Sequence, residues 1–140
     1  MKRGEGPASA DDIQIHTKYV RDLDILADVT FKHTESIIDR SLCRLNRDTL
    51  DLVQFHWWDY NVPGYVEVAL DLLKLKEKGK IRNIGVTNFD APHLKEIVDA
   101  GMPIVSCQSQ YSLFDRRPEL ALSNYCESAG IRHVCYGTLA

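Results

Sequence analysis

The chain has 140 residues, of which 44% are hydrophobic and 26% are charged, and its formal net charge is −3. This composition is typical of a soluble globular domain, and it gives no reason to expect a nucleic acid or an anionic membrane as a partner. The sequence has no apolar run of about 18 residues, so no transmembrane helix is predicted. The polar segment 1–12 also lacks the apolar core of a secretory signal.

Cysteine usage predicts the cellular compartment. The four cysteines form no C-x-x-C pair, and three of them lie in apolar segments. We therefore expect buried, reduced thiols in a cytoplasmic protein rather than disulfides or metal ligands. The cysteines are Cys43, Cys107, Cys126 and Cys135.

Short apolar runs rich in β-branched residues alternate with longer segments that have helical spacing. The runs predict five strands, at 13–20, 50–57, 81–87, 104–111 and 131–136. Between them the spacing predicts four helices: from a cap at Thr34 through Leu45, from 66 to Gly79, from a cap at Asp90 to Gly101, and from about 118 to Gly130.

Three of the helices end in glycine and lead into a strand within one to three residues. Such short connections are typical of βαβ units and therefore of a parallel sheet covered by helices. Two α/β folds have this pattern, the open doubly wound sheet and the TIM barrel. No G-x-G-x-x-G motif is present, as a doubly wound dinucleotide fold usually requires.

Polar residues at the carboxyl ends of the predicted strands favour the barrel, which keeps its active site there. They are Lys18, His56, Asn88, Gln108 and Tyr136. A complete (β/α)8 barrel needs eight strands and at least about 200 residues. We therefore predict a partial TIM barrel of about five parallel strands over residues 13–140, preceded by the polar N-terminal segment 1–12.

Each polar side chain has a chemical and a structural interpretation. A neutral His56 at a strand tip can donate a hydrogen bond to a substrate carbonyl, whereas an isolated histidine is more often a core residue bonded to backbone. Lys18 can lower the pKa of a neighbouring tyrosine or be a solvated strand end. The amides of Asn88 and Gln108 match a carboxamide, and Tyr136 offers a flat face for a cofactor ring, but both roles also suit ordinary loop and packing residues.

Five segments, taken together, resemble the aldo-keto reductase family. D-L-V-Q-F-H-W at 51–57 resembles the strand that ends in that family's active-site histidine. G-K-I-R-N-I-G-V-T-N-F at 79–89 resembles the signature G-K-I-R-x-I-G-V-S-N-F, with Thr87 where serine is common. Q-S-Q-Y-S-L at 108–113, with D-R-R-P-E at 115–119, and Y-G-T-L at 136–139 resemble later segments in family order. The matches cover nearly the whole of 13–140.

The resemblance implies an oxidoreductase that transfers hydride from NADPH, with NADH as the alternative, to an aldehyde or ketone, and it implies no metal. His56 would polarise the small-molecule carbonyl substrate, and Lys18 would assist a catalytic tyrosine. Trp57 and Trp58 would flank the substrate pocket. The nicotinamide carboxamide and ring would be held by Thr87, Asn88, Gln108 and Tyr136.

The family's catalytic set also contains an aspartate and a proton-donating tyrosine, and both lie upstream of the lysine strand. Residues 1–12 contain no tyrosine. Proton donors typically contribute about 10²–10⁴-fold to rate. We therefore expect a truncated chain that is inactive or nearly so by itself, and the oligomeric state stays open.

Two other functions remain as alternatives. One is a non-catalytic barrel fragment that acts as a binding or accessory module. The other is a metal-dependent hydrolase that uses His16, His56 and Asp59, although these residues do not form a recognised ligand set.

Overall fold

The computed structural model describes residues 13–139, except for the side chains of Asp24 and Ala27. The predicted polar segment 1–12 lies outside the described residues. No helix of the described part is long and apolar enough to span a membrane.

Five parallel strands form a single sheet in the order β1-β2-β3-β4-β5. Each strand therefore pairs with its neighbour in the chain, as in a barrel segment. In a doubly wound sheet the order of the strands instead reverses at a point within the sheet. The strands are β1 His16–Tyr19, β2 Leu50–Phe55, β3 Ile81–Thr87, β4 Ile104–Gln110 and β5 Arg132–Tyr136.

An α-helix follows each of the first four strands. A short 3-10 helix lies between β1 and the first α-helix. The 3-10 helix, at Leu23–Asp28, had no counterpart among the predicted elements. The α-helices are α1 Phe31–Leu45, α2 Tyr65–Glu77, α3 Ala91–Asp99 and α4 Ala121–Ser128.

The start of α1 differs from the prediction. Its N-cap is Thr30, whose hydroxyl accepts a hydrogen bond from the His33 amide, and not Thr34. Thr34 instead lies buried within the helix, where its Oγ1 is 3.1 Å from the Tyr19 hydroxyl oxygen. The contact with Tyr19 of β1 therefore places Thr34 on the packed side of α1, after the start of the helix. The Asp90 cap of α3 is confirmed, because its side chain accepts a hydrogen bond from the His93 amide.

The predicted glycine stops are confirmed as well. Gly79 and Gly101 follow α2 and α3 with φ angles of 80° and 96°. These left-handed conformations favour glycine and let the chain turn back into the next strand.

One face of the sheet packs against the helices and the other is open. The helix-covered face carries the core, including Val53, Phe55 and Val86, each 0% exposed. The open face carries polar side chains, such as His16 and Asn83, and borders a groove of about 820 Å³. In a closed barrel this face would line the interior.

The prediction for the cysteines is only partly right. All four are free, but only Cys107 and Cys126 are buried, whereas Cys43 and Cys135 are exposed. Cys43 lies on the solvent side of α1, and Cys135 lies on β5, the last strand of the described sheet. Cys107 and Cys126 share a hydrogen bond, which together with burial raises the pKa of the Cys107 thiol. That thiol is therefore protonated at neutral pH.

Candidate active site

The carboxyl ends of the five strands lie at one edge of the sheet because all the strands are parallel. We call this edge the rim. Every polar residue predicted at a strand end lies on it. Lys18 belongs to β1, His56 and Asn88 directly follow β2 and β3, Gln108 lies in β4, and Tyr136 ends β5.

His56 is half-buried and held at both its backbone and its ring. Its amide donates to the Tyr19 carbonyl at 3.0 Å, and its Nδ1 lies 3.0 Å from the Thr87 carbonyl oxygen. A carbonyl can only accept, so Nδ1 must bear the proton. Neutral His56 therefore presents Nε2 to the rim as an acceptor.

This geometry changes the expected chemistry of His56. A neutral ring that keeps its bond to Thr87 can accept a proton from an alcohol, but it cannot donate to a carbonyl. Donation from Nε2 requires the imidazolium, in which both nitrogens are protonated. The donation expected from a neutral His56 would therefore need Nδ1 to give up its bond to the Thr87 carbonyl.

The two tryptophans lie on different sides of the chain. Trp58 is 52% exposed, its ring centroid is 4.5 Å from that of His56, and its indole N–H donates to the Arg21 carbonyl at 2.6 Å. Trp57 is 1% exposed and packs against Phe55 in the core. Consecutive residues leaving a strand face opposite sides, so only Trp58 lies at the rim beside His56. The structure does not bring Trp57 there.

Asn88 is connected both to Tyr136 and to the backbone of Gln108. Asn88 adopts a left-handed conformation, with φ of 59°, and its backbone N–H donates to the Gln108 carbonyl at 2.8 Å. The Tyr136 hydroxyl donates to Asn88 Oδ1 at 2.8 Å. With Oδ1 occupied, the Asn88 amide nitrogen still has hydrogens to donate to a ligand. The Tyr136 side chain is 39% exposed, which leaves part of its ring accessible.

Thr87 is buried beneath these side chains and is not exposed at the rim. It is 2% exposed, and its hydroxyl is 3.4 Å from Gln108 Oε1. Its buried position suits a residue that orients Gln108 and, through its carbonyl, His56. Direct contact with a ligand would need a movement of the neighbouring side chains.

Lys18 is exposed on the open face, and its Cα pairs in register with that of Gln54. Within residues 13–139 no hydrogen bond or ion pair joins it to the other rim residues. The structure therefore places Lys18 on the predicted side of the sheet but apart from the group around Asn88.

The metal-hydrolase alternative is wrong for the described part of the chain. Residues 13–139 contain no group of three or more His, Cys, Asp or Glu side chains able to hold a metal ion. The carboxylate of Asp59 instead accepts from the backbone and side chain of Asn61.

Sequence reasoning missed the backbone partners of the rim. The carbonyls of Thr87 and Arg21 fix the His56 ring and the Trp58 indole, but a carbonyl has no sequence signature. The signals that were available are the alternation along β2 and the Asn-Phe pair that follows β3.

A family model described as the aldo/keto reductase family matches residues 1–140. The chain belongs to the aldo/keto reductase family. Among curated aldo/keto reductase relatives, YhdN of Bacillus subtilis is 37% identical over 73% of this chain. The NADH-specific methylglyoxal reductase of Escherichia coli is 38% identical over 71%, and the glyoxal reductase of B. subtilis is 37% identical over 80%.

Solved structures of aldo/keto reductases have the same fold. The thermostable aldo-keto reductase Tm1743, solved with the inhibitor epalrestat, matches 93% of this chain with a TM-score of 0.80 and 29% identity. A variant of Gox0644 in complex with NADPH matches 93% with a TM-score of 0.80 and 30% identity. The predicted family and the partial α/β barrel are confirmed.

The chain spans only part of these relatives. It covers 30% of YhdN, 31% of the methylglyoxal reductase and 46% of the Tm1743 chain. Aldo-keto reductases use NADPH or NADH, as the Gox0644 complex and the NADH-specific relative illustrate.

Proposed function

We propose that this chain provides the nicotinamide end and the carbonyl-orienting part of an NAD(P)H-dependent aldehyde or ketone reductase site. The single observation behind the proposal is the junction of two groups at Thr87. Its carbonyl holds the His56 ring, and its hydroxyl lies next to Gln108, which belongs to the group with Asn88 and Tyr136.

The residues at the rim fit a nicotinamide. A carboxamide needs both donors and acceptors, and the amides of Asn88 and Gln108 supply both. The partly exposed ring of Tyr136 offers a flat surface for stacking. The bound cofactor would supply the hydride, while this chain would hold its ring at the carboxyl edge of the sheet.

The substrate would lie beside His56 and Trp58. The imidazolium form of His56 would donate from Nε2 to the carbonyl oxygen of an aldehyde or ketone, and the neutral form would accept from an alcohol in the reverse reaction. The exposed indole of Trp58 provides an apolar wall for a small substrate, consistent with relatives named for glyoxal and methylglyoxal.

Lys18 is the second proposed catalytic residue. An ammonium group lowers the pKa of a nearby tyrosine, and we take the tyrosine and aspartate that the family resemblance implies to be supplied from outside these 140 residues. The proton donor would therefore come from outside them. We expect a polypeptide of these 140 residues alone to show no NADPH-dependent carbonyl reduction above background.

The proposal is tested by saturation-transfer NMR with NADPH and the 140-residue polypeptide. We expect the nicotinamide protons to receive more saturation than the adenine protons, because the rim residues match only the nicotinamide. Asn88→Asp, which tolerates the same backbone conformation, and Tyr136→Leu should each reduce the nicotinamide signal several-fold.

The matched control is Asn124→Asp, which makes the same change on an exposed residue of α4 and should leave the signal unchanged. Equal saturation of both ends of NADPH, or a nicotinamide signal that is insensitive to Asn88 and Tyr136, would contradict the proposal. If NADPH binds through Asn88 and Tyr136 but a complete barrel that contains this chain reduces no carbonyl, the accessory-module alternative would be favoured.

A further inference from the structure

A second polar cluster lies on the helix-covered side of β4. Ser109 follows Gln108, and because neighbouring residues of a strand face opposite sides, Ser109 points towards α4. Its Oγ lies 2.6 Å from His133 Nε2, and His133 Nδ1 lies 3.0 Å from Ser123 Oγ. Residues from β4, β5 and α4 thus form one chain of hydrogen bonds.

One assignment of the hydrogens satisfies every contact of this chain. The Ser123 hydroxyl donates its proton to the Pro118 carbonyl at 3.0 Å. Ser123 Oγ must then accept from His133 Nδ1–H. A neutral imidazole has one N–H, so His133 Nε2 is the acceptor that faces the Ser109 hydroxyl. Burial lowers the pKa of His133, which favours this neutral form.

Ser109 also borders a cavity separate from the open face of the sheet. The cavity measures about 380 Å³ and lies between the start of α3 and the segment before α4. Phe89, Pro92, Pro118 and Leu122 provide apolar walls. The volume is at the small end of ligand pockets, so it suits a short acyl group rather than a long chain.

We propose that Ser109 is a nucleophile that is acylated by small esters bearing short apolar acyl groups, with His133 as its base and Ser123 as a positioning residue. Ser109 Oγ would form a bond to the acyl carbon while the bond to the leaving alcohol breaks. The serine proton would pass to His133 Nε2 and then to the leaving alkoxide. His133 would then accept a proton from a water molecule that attacks the acyl-serine, and the proton would return to Ser109 Oγ as the acid leaves. The net reaction is ester plus water to acid plus alcohol.

This activity goes beyond the reductase function and requires neither His56 nor Lys18. The hydrogen bonds supply the two geometric requirements of such a nucleophile: a base within hydrogen-bond reach, and a residue that orients that base. The adjoining cavity supplies space for the acyl group.

The test uses the 140-residue polypeptide and p-nitrophenyl acetate, with the site of acetylation mapped by peptide mass spectrometry. We expect acetylation at Ser109, with an initial release of one p-nitrophenolate per chain. Ser109→Ala should abolish it, and His133→Gln should slow it by about 10² or more, the usual range for general-base catalysis. Ser128→Ala, which removes an exposed serine hydroxyl of α4, should leave it unchanged.

The positioning role of Ser123 has its own test. Ser123→Ala should slow acetylation about tenfold, the value of one neutral hydrogen bond, whereas Ser123→Thr should restore the rate because it keeps the hydroxyl. Far-UV circular dichroism would identify variants that fail to fold. The proposal is overturned if a folded chain is not acetylated at Ser109, or if His133→Gln reacts as fast as the parent.

Discussion

Gly85 lies at a crowded position on β3. A Cβ at this residue would lie 2.4 Å from Ser106 Oγ and 3.0 Å from the Ser106 carbonyl oxygen. The pairing register between β3 and β4 also shifts at this point. The close approach of the two strands therefore requires a residue without a side chain, which explains the glycine within a segment of high strand propensity.

Gly85→Ala should lower the free energy of unfolding by about 1–3 kcal/mol, the usual cost of overpacking. Ser106 Oγ is buried and has no hydrogen-bond partner among the described residues, so Ser106→Ala should cost little. The double variant should recover part of the loss, because the nearest clashing atom is gone. Urea denaturation of the parent, the two single variants and the double variant measures this coupling. Strictly additive changes in the free energy of unfolding would contradict the explanation.

Among the elements, Asp51 joins the amino ends of β2 and β3 to the segment that leads into β1. Its Oδ2 accepts from the Ile15 amide at 2.9 Å, and its Oδ1 accepts from Arg82 Nη1 at 2.8 Å. Its backbone carbonyl also accepts from Asn83 at 3.0 Å. One residue of β2 therefore connects β3 to the segment that leads into β1, on the edge opposite the rim.

These bonds make the contribution of Asp51 dependent on pH. The hydrogen bond from the Ile15 amide, followed by the charge of Arg82, lowers the pKa of Asp51 in the folded chain. The resulting stabilisation is complete above the unfolded-chain pKa of about 4 and is lost as the pH falls through the lower folded value. We expect the free energy of unfolding to fall more steeply below about pH 4 in the parent chain than in Asp51→Asn.

Urea denaturation from pH 7 to pH 2 measures this difference. The other carboxylates with lowered pKa values, such as Glu35 and Asp115, are present in both proteins, so their contributions cancel. A difference between parent and variant that does not change with pH would show that Asp51 has the same pKa in the folded and unfolded chains.

At the scale of the whole molecule, the described sheet has two strand edges and an open face. Strand β5 forms one of these edges, and Val134 on its open face is 41% exposed. Unpaired strand edges and uncovered apolar surface favour association between chains. A polypeptide of these 140 residues should therefore associate as its concentration rises.

Val134→Lys should weaken this association because it places a charge on the edge strand. Leu45→Lys serves as the control, since Leu45 is 39% exposed but lies on α1, away from the sheet. Sedimentation velocity over a range of concentrations compares the three proteins. A parent chain that stays monomeric, or a Leu45 variant that weakens association as much as the Val134 variant, would contradict the prediction.

Much of the site could be predicted because it depends on strand direction alone. Once the strands are parallel, residues at their carboxyl ends share one edge, and this places Lys18, His56 and Asn88 correctly without any contact information. The pair Trp57 and Trp58 could not be resolved in the same way. Their opposite orientations depend on where β2 ends and on which face the helices cover.

The sequence by itself determined the alternation of strands and helices, the glycine stops and the family, because these depend on local propensity and on residues close together in the chain. Only the tertiary structure decided the tautomer of His56, the burial of Thr87, the choice of Thr30 over Thr34 as a cap, and the chain from Ser109 through His133 to Ser123. Each of these depends on a partner from a distant segment or on which side of a helix is packed, and short sequence patterns contain no information about either.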